Sequence, residues 1–309
     1  MRDTTLAADR RMAVPIPVRD WRHTLRVLAL TAPALVLMLG FLIIPLVAVI
    51  LLSFTDYQLG ASSLAVIGFD NYVEMARDQT VRISLVNTFI YVAIVVPASV
   101  ALGLGAALLI EVDTSLRGFY RSTYFLPVMA TLIAMAVVWE FMLDQRFGVV
   151  NIFLRSIGFG SYDWLHDRSL VLYTLCGIGI WQSVGFNMVL FMAGLTAIPR
   201  ELYEAADVDG ARSALDRFTL VTWPLLGPVT VFTVVITAIR AFQVFDTVNV
   251  LTDGGPNKAS EVLLHTIYKE GFVYFRDGYA AALIVVFLAF ILALSAIRVF
   301  VLDKRTRTS

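Results

Sequence analysis

Charge is absent from long stretches of this chain and gathered between them. Six uncharged runs of at least 18 residues occur, at 27–55, 83–110, 122–139, 169–199, 218–239 and 278–297. About 20 apolar residues cross a bilayer core as a helix, so the pattern predicts an all-α integral membrane protein with six transmembrane helices. The run at 122–139 is the shortest, and Glu140 at its end can reach the interface. Pro33, Pro45, Pro97, Pro127, Pro224 and Pro228 lie inside the runs. Neighbouring helices in a bundle can satisfy the backbone groups that such prolines free. The first run is too long for a signal-peptide core and follows a polar arm, so it reads as an uncleaved span.

Composition agrees, since 59% hydrophobic residues is too high for an ordinary soluble domain. The net charge of zero conceals a sided distribution. With the N-terminus inside, the inner segments hold fifteen Lys and Arg and the outer loops eight. That bias predicts a multi-pass membrane protein with both termini and the 199–217 segment in the cytoplasm. The expected boundaries are a cytoplasmic arm over 1–26, a six-helix transmembrane domain over 27–302 and a cytoplasmic tail over 303–309. The outer loops at 144–168 and 246–277 each have room for a small helix or hairpin. Aromatics in Gly68-Phe-Asp-Asn-Tyr72 suggest a folded outer loop there. Nothing points to nucleic acid. His23, His166 and His265 are scattered and Cys176 is alone, so no metal cluster or internal disulfide is expected.

One polar segment stands out, Ile198-Pro-Arg-Glu-Leu-Tyr-Glu-Ala-Ala-Asp-Val-Asp-Gly210. Pro199 suits the first turn of a helix, and Glu201 and Glu204 place negative charge at its positive end. Leu202, Ala205, Ala206 and Leu215 are expected to form a thin apolar side. Gly210 then permits a bend into a second short helix. A helix lying on lipid usually carries Lys or Arg on its polar face. This one carries Glu201, Glu204, Asp207 and Asp209, which favours a protein partner.

Glu204-Ala205-Ala206, Gly210, Leu220 and Pro224 resemble the signature loop of ATP-binding-cassette importer permeases. That loop reads Glu-Ala-Ala, three residues, Gly, nine or so residues, then aliphatic-x-Leu-Pro. Two departures stand: Trp223 replaces the usual Leu, and Pro224 falls one residue late, a slip that would rotate the second helix against the fifth span. Further segments resemble the carbohydrate subgroup: Asn87-Thr88, Arg121-Ser-Thr-Tyr-Phe-Leu-Pro127, Phe242-Gln-Val-Phe-Asp246 and Val250-Leu-Thr-Asp-Gly-Gly-Pro256. Ile267-Tyr-Lys-Glu-Gly-Phe272 is similar to the glycerol-3-phosphate branch. The resemblance implies a type I importer permease fold with a coupling helix in the loop 199–220. It implies a second, homologous permease subunit, usually a different chain. Two ATPase subunits carrying ATP and magnesium would sit beneath, and a periplasmic or lipid-anchored binding protein would deliver substrate. Glu201, Glu204, Ala205, Ala206, Asp209 and Gly210 would then couple to the ATPase. Gly254, Gly255 and Pro256, a turn in their own right, would lie in the binding-protein docking loop. No Gly-x4-Gly-Lys-Ser/Thr phosphate loop is present, so this chain is expected to bind no nucleotide and to be no enzyme.

The expected cargo is a carbohydrate or related polar solute. Arg240 ends the fifth run, and a charge at such depth by default faces an aqueous cavity or a partner. Gln243 and Thr247 follow at helical steps and are expected to share its face. Arg240 either attracts an anionic group on the solute, pairs with Asp246 or a neighbouring subunit, or snorkels to the interface. Trp181, Gln182 and Asn187 offer the aromatic and amide mixture that suits sugar rings, or else they hold helices together. Gly103 and Gly105 are expected to let helices approach closely. A self-contained ion-coupled carrier would show paired repeats and mid-span charges, and an intramembrane enzyme would need catalytic groups within its spans; neither pattern is present.

Overall fold

The computed structural model describes residues 21–61, 63–112 and 117–306; most of the 1–26 arm, the middle of the 111–121 loop and the end of the tail lie outside these. The chain divides into two units at Val49/Ile50. The first unit contains α1 (Trp21–Met38), a π-helical turn (Leu39–Ile43) and most of α2 (Ile44–Leu52). Uncharged apolar sequence over Leu28–Leu52 makes this stretch long enough to cross a membrane.

The second unit continues with α3 (Asp70–Arg77), α4 (Gln79–Val112), α5 (Arg117–Met129), α6 (Leu132–Leu143), α7 (Val149–Ser156) and α8 (Val171–Thr196). Then come α9 (Arg200–Val208), α10 (Ala214–Arg217), a π-turn (Phe218–Thr222), α11 (Trp223–Leu225) and α12 (Gly227–Phe242). The remainder is α13 (Asp246–Leu251), α14 (Leu263–Tyr268), a third π-turn (Lys269–Val273) and α15 (Asp277–Thr306). Among the described residues the only β-pairing is an isolated bridge between Thr55 and Val66.

Contacts between named residues give the directions of these helices. Tyr91 of α4 meets Gly179 of α8, and Gly103 meets Asn187, so the two helices run the same way. Asp78 accepts a hydrogen bond from Tyr279 while Phe89 meets Phe290, so α15 runs parallel to α4. Phe89 also meets Phe242, and Asn187 meets Thr237, so α12 runs opposite to both. The starts of α4, α8 and α15 therefore share one end of the bundle, and α9 hangs from the other.

Helices in a bilayer gain little from apolar burial against each other, so close packing and interhelical hydrogen bonds hold them. Leu175, Met188 and Phe191 of α8 are fully buried against the bundle. Asn187, also fully buried, donates to Ser99 Oγ at 3.2 Å and accepts from Thr237 Oγ1 at 2.7 Å, tying α4, α8 and α12 together. Gly103 is where α4 touches α8; Gly105, expected to act alike, has no neighbour where a side chain would stand.

The predicted third span differs from expectation. Helices α5 and α6 bend by 99° across Ala130 and Thr131. Helix α5 runs through Pro127 to Met129, and the break falls at Thr131, which is extended at φ −65°, ψ 133°. Each half, at about 20 Å, is too short to cross alone. Among the described residues four helices are long and apolar enough to span, the bent pair would make a fifth, and α15 is apolar over Asp277–Ala293. The loop joining α2 and α3 is folded, as its aromatics suggested. Phe54, Phe69 and Tyr72 cluster, and the Asn71 amide donates to the carbonyls of Ser53 and Thr55 at 2.9 Å each.

Candidate functional site

The charged segment forms α9 as predicted, with Pro199 one position earlier than expected, at the N-cap (φ −59°, ψ 136°). Gly210, at φ +101°, turns the chain out of the helix in a conformation that costs a residue without Cβ little. The amide of Ala211 then closes on the carbonyl of Ala206 at 2.9 Å, and Ala211 is buried. Ser213 and Asp216 cap α10 reciprocally, both bonds at 3.0 Å. The Ser213 hydroxyl and amide hold the Asp216 carboxyl below its ordinary pKa.

Two contacts fix α9 against the following helix. Arg217 grips Asp207 through Nε at 2.7 Å and Nη2 at 3.0 Å. The Tyr203 hydroxyl meets the buried Thr222 Oγ1 at 3.0 Å. Tyr203 and Ala206 pack on the main core, so they form the inward side of α9. This corrects the expected apolar side, because Leu202 and Leu215 point outward. They stand exposed with Glu201, Glu204, Ala205, Val208 and Asp209. The outward face is thus acidic with apolar residues set among the acids.

A π-turn stands immediately before Trp223 and the late Pro224. Trp223 N–H bonds to Phe218 C=O, a five-residue step in place of four. A π-turn takes up one residue more than an α-turn of the same rise.

A second feature is a cavity of about 100 Å³ lined by Tyr91, Gln182, Ser183, Arg240, Gln243 and Asp246, with Phe245 and Thr247. That volume has room for a few waters and is small for a sugar ring. Arg240 lies over the Phe186 ring, 4.4 Å from its centroid. It makes no ion pair with Asp246 among the described residues. Arg240, Gln243 and Thr247 all line the cavity, though by a different route from the one expected. Helix α12 ends at Phe242 and α13 starts at Asp246, so a break and not one helical face brings them together. Gln243 is exposed and Thr247 buried.

Trp181 and Gln182 part company, because adjacent helical residues point about 100° apart. Trp181 packs edge-on to Trp139 at 5.3 Å and lines a separate groove. Asn187 lies buried inside the bundle, bonded to Ser99 and Thr237, and does not line this cavity. Phe186 and Tyr91 were not singled out from sequence. Phe186 stands four residues after Gln182, so helical spacing alone puts it on that face.

The Gly254 loop is built inward. Gly254 is buried at φ +79°, and a Cβ there would strike the Glu261 carboxylate. Glu261 also meets His265 Nδ1 at 2.8 Å and accepts from Thr266 at 2.9 Å. The Asn87 amide donates to the carbonyls of Lys258, Ala259 and Glu261 at 3.2, 3.2 and 2.9 Å, and Thr88 accepts from the Leu263 amide at 3.0 Å. Asn87-Thr88 therefore clamps the loop to α4. Its exposed rim is Asp253, Asn257 and Lys258, with Gly255 and Pro256 half-buried. Among the described residues no cluster could hold a metal ion.

Comparison with known proteins places this geometry. Residues 99–308 match the family described as binding-protein-dependent transport system inner membrane component. A probable ABC transporter permease protein of Bacillus subtilis, YurN, is 36% identical over 85% of this chain and 91% of its own length. The sulfoquinovosyl glycerol transport system permease protein SmoG of Agrobacterium fabrum is 32% identical over 90% of each chain. Among solved structures, a bacterial alginate ABC transporter in complex with an alginate pentasaccharide-bound periplasmic protein shares the fold. Its TM-score is 0.80 at 23% identity, covering 91% of this chain and 96% of that one.

Proposed function

Because this chain belongs to the binding-protein-dependent transport system inner membrane components, and is thus a permease subunit of an ABC importer, we propose how its residues divide the work. Helix α9 docks on a separate ATPase subunit, which binds ATP and magnesium. The joint around Tyr203, Asp207, Arg217 and Thr222 carries the motion of that subunit into α12. A second, different permease chain completes the pathway across six spans, and a binding protein docks at the Gly254 end. Both termini and α9 lie in the cytoplasm. The Lys and Arg bias supports this, as does the shared direction of α4, α8 and α15.

One observation carries the reading. The outward face of α9 presents Glu201, Glu204, Ala205, Val208 and Asp209, while its inward face is bonded to the helix that leads into α12. An acidic lipid-repelled face on a rigid lever suits a protein cleft. Ala205→Cys should cross-link to a cysteine in the co-expressed ATPase of the same transporter. Scrambling residues 201–209 should abolish uptake without preventing membrane insertion. Uptake that survives the scramble overturns the proposal.

For cargo, we propose an anionic carbohydrate derivative or polyol phosphate. Relatives at 32% and 33% identity are named for sulfoquinovosyl glycerol and sn-glycerol-3-phosphate transport, and Arg240 offers a cation at the cavity. Arg240→Gln should lower uptake of the anionic solute at least about tenfold, the factor for one lost charged hydrogen bond of ~1.4 kcal/mol or more. Arg240→Lys should retain part of it. Unchanged uptake by Arg240→Gln refutes this role.

A further inference from the structure

At the end of the bundle away from α9, a groove of about 430 Å³ opens between α3, the first turns of α4, α14 and α15. Val81, Leu263 and Leu283 form its buried floor within a small core of their own. Val86 and Phe89, 51% and 44% exposed, stand open at its mouth. Arg82, in the first turn of α4, forms part of its lining and is exposed.

Three other cations at this end are engaged, while Arg77, in the last turn of α3, is exposed and pairs with no carboxylate among the described residues. Arg276 pairs with Glu74 and Glu270, Lys269 with Asp253, and the Lys258 ammonium donates to Thr80 at 2.6 Å. Asp78, the nearest acid along the chain, is taken up by the Thr80 amide at 2.7 Å and the Tyr279 hydroxyl at 3.0 Å. Arg82 meets no carboxylate among the described residues. It stands where α4 begins its apolar run, which is the depth of lipid headgroups. An unmatched guanidinium above an apolar trough complements an amphiphile with an anionic head and a hydrocarbon tail.

We propose that this groove holds an acyl chain of an anionic phospholipid whose phosphate rests on Arg82. The lipid would fill the space between the start of α4 and the α14–α15 corner, and so brace the end of the bundle that carries the Gly254 loop. The site depends on the chain spanning a membrane and is independent of the cargo and ATPase assignments.

The test uses the assembled transporter in phosphatidylcholine vesicles. These are doped with either phosphatidylglycerol or phosphatidylcholine bearing the same diazirine-tagged acyl chain, and adducts are mapped by peptide mass spectrometry after photolysis. Phosphatidylglycerol should label residues 75–89 and 283–286 about fivefold more than phosphatidylcholine, the factor for one Arg near an anionic lipid. Arg82→Gln should bring the two lipids level. Val86→Trp, which fills the trough, should remove both labels there and leave labelling of the other helices unchanged; that unchanged pattern also checks the fold. Equal labelling of the native protein by both lipids overturns the proposal. So does an unlabelled groove in the assembled complex, which would mean that another span covers it.

Discussion

Gly103→Ala tests the helix contact on which the bundle depends. A Cβ built on Gly103 lies 2.6 Å from Asn187 Cβ and 3.0 Å from Met188 N. Both belong to the backbone or its root, so no flexible tip can swing aside. Carbon atoms pack at about 3.6 Å, so α4 must draw away from α8 by about 1 Å. Overpacking of this kind costs about 1–3 kcal/mol. The same shift stretches the 3.2 Å bond from Asn187 to Ser99 beyond hydrogen-bonding range, at about 0.6 kcal/mol for an average bond between membrane helices. Replacing a helical glycine returns up to about 1 kcal/mol. The net expectation is a loss of roughly 1–3 kcal/mol. Thermal unfolding of the detergent-solubilised protein, followed by fluorescence-detected size exclusion, should show a lower midpoint. Gly105→Ala is the control, since no atom stands within 4 Å of its added Cβ, and it should melt at or above the native temperature. If Gly103→Ala is as stable as Gly105→Ala, the contact does not hold the helices as argued.

Removing one residue, Thr219, from the π-turn should convert it to an α-turn and leave uptake largely intact, whereas inserting one Ala there should uncouple ATP hydrolysis from transport. Equal damage from both changes would refute the compensating role of the turn; the readout is solute moved per ATP in proteoliposomes. Asp78→Asn probes the opposite end of the bundle. Burial raises the Asp78 carboxyl, but hydrogen bonds from Thr80 and Tyr279 outweigh it and hold its pKa below the ordinary value. The native state thus binds fewer protons here, and the stabilisation is present above about pH 4 and lost as pH falls through the lowered value. The variant should melt below the native protein at pH 7, with the gap closing under acid. A gap that stays constant with pH would exclude the carboxylate as its source.

Much of this architecture is legible in the order of residues because membrane crossing is a one-dimensional demand. Runs such as 83–110 and 169–199 must become helices in a solvent that accepts no unpaired backbone. Helix α9 is readable for the same local reasons, since Pro199, the early acids and Gly210 start, polarise and end a short helix without help from elsewhere.

Side-chain roles were less legible where they depend on what faces the helix. Asn187 and Gln182 share one helix and one chemistry, yet one is sealed between Ser99 and Thr237 and the other lines a cavity. Gly103 and Gly105 sit two residues apart, and only Gly103 touches α8. Arg240, Gln243 and Thr247 meet through a helix break that no periodicity announces, and the π-turn just before Trp223 is equally unannounced. Sequence by itself determined most of the apolar helices, where the acidic helix lies and which segments carry the basic charge, because these follow from local composition and spacing. Only the tertiary structure decided which face of each helix meets protein and which meets water or lipid. That choice is made by contacts between residues dozens of positions apart, and nothing in either residue's own neighbourhood encodes them.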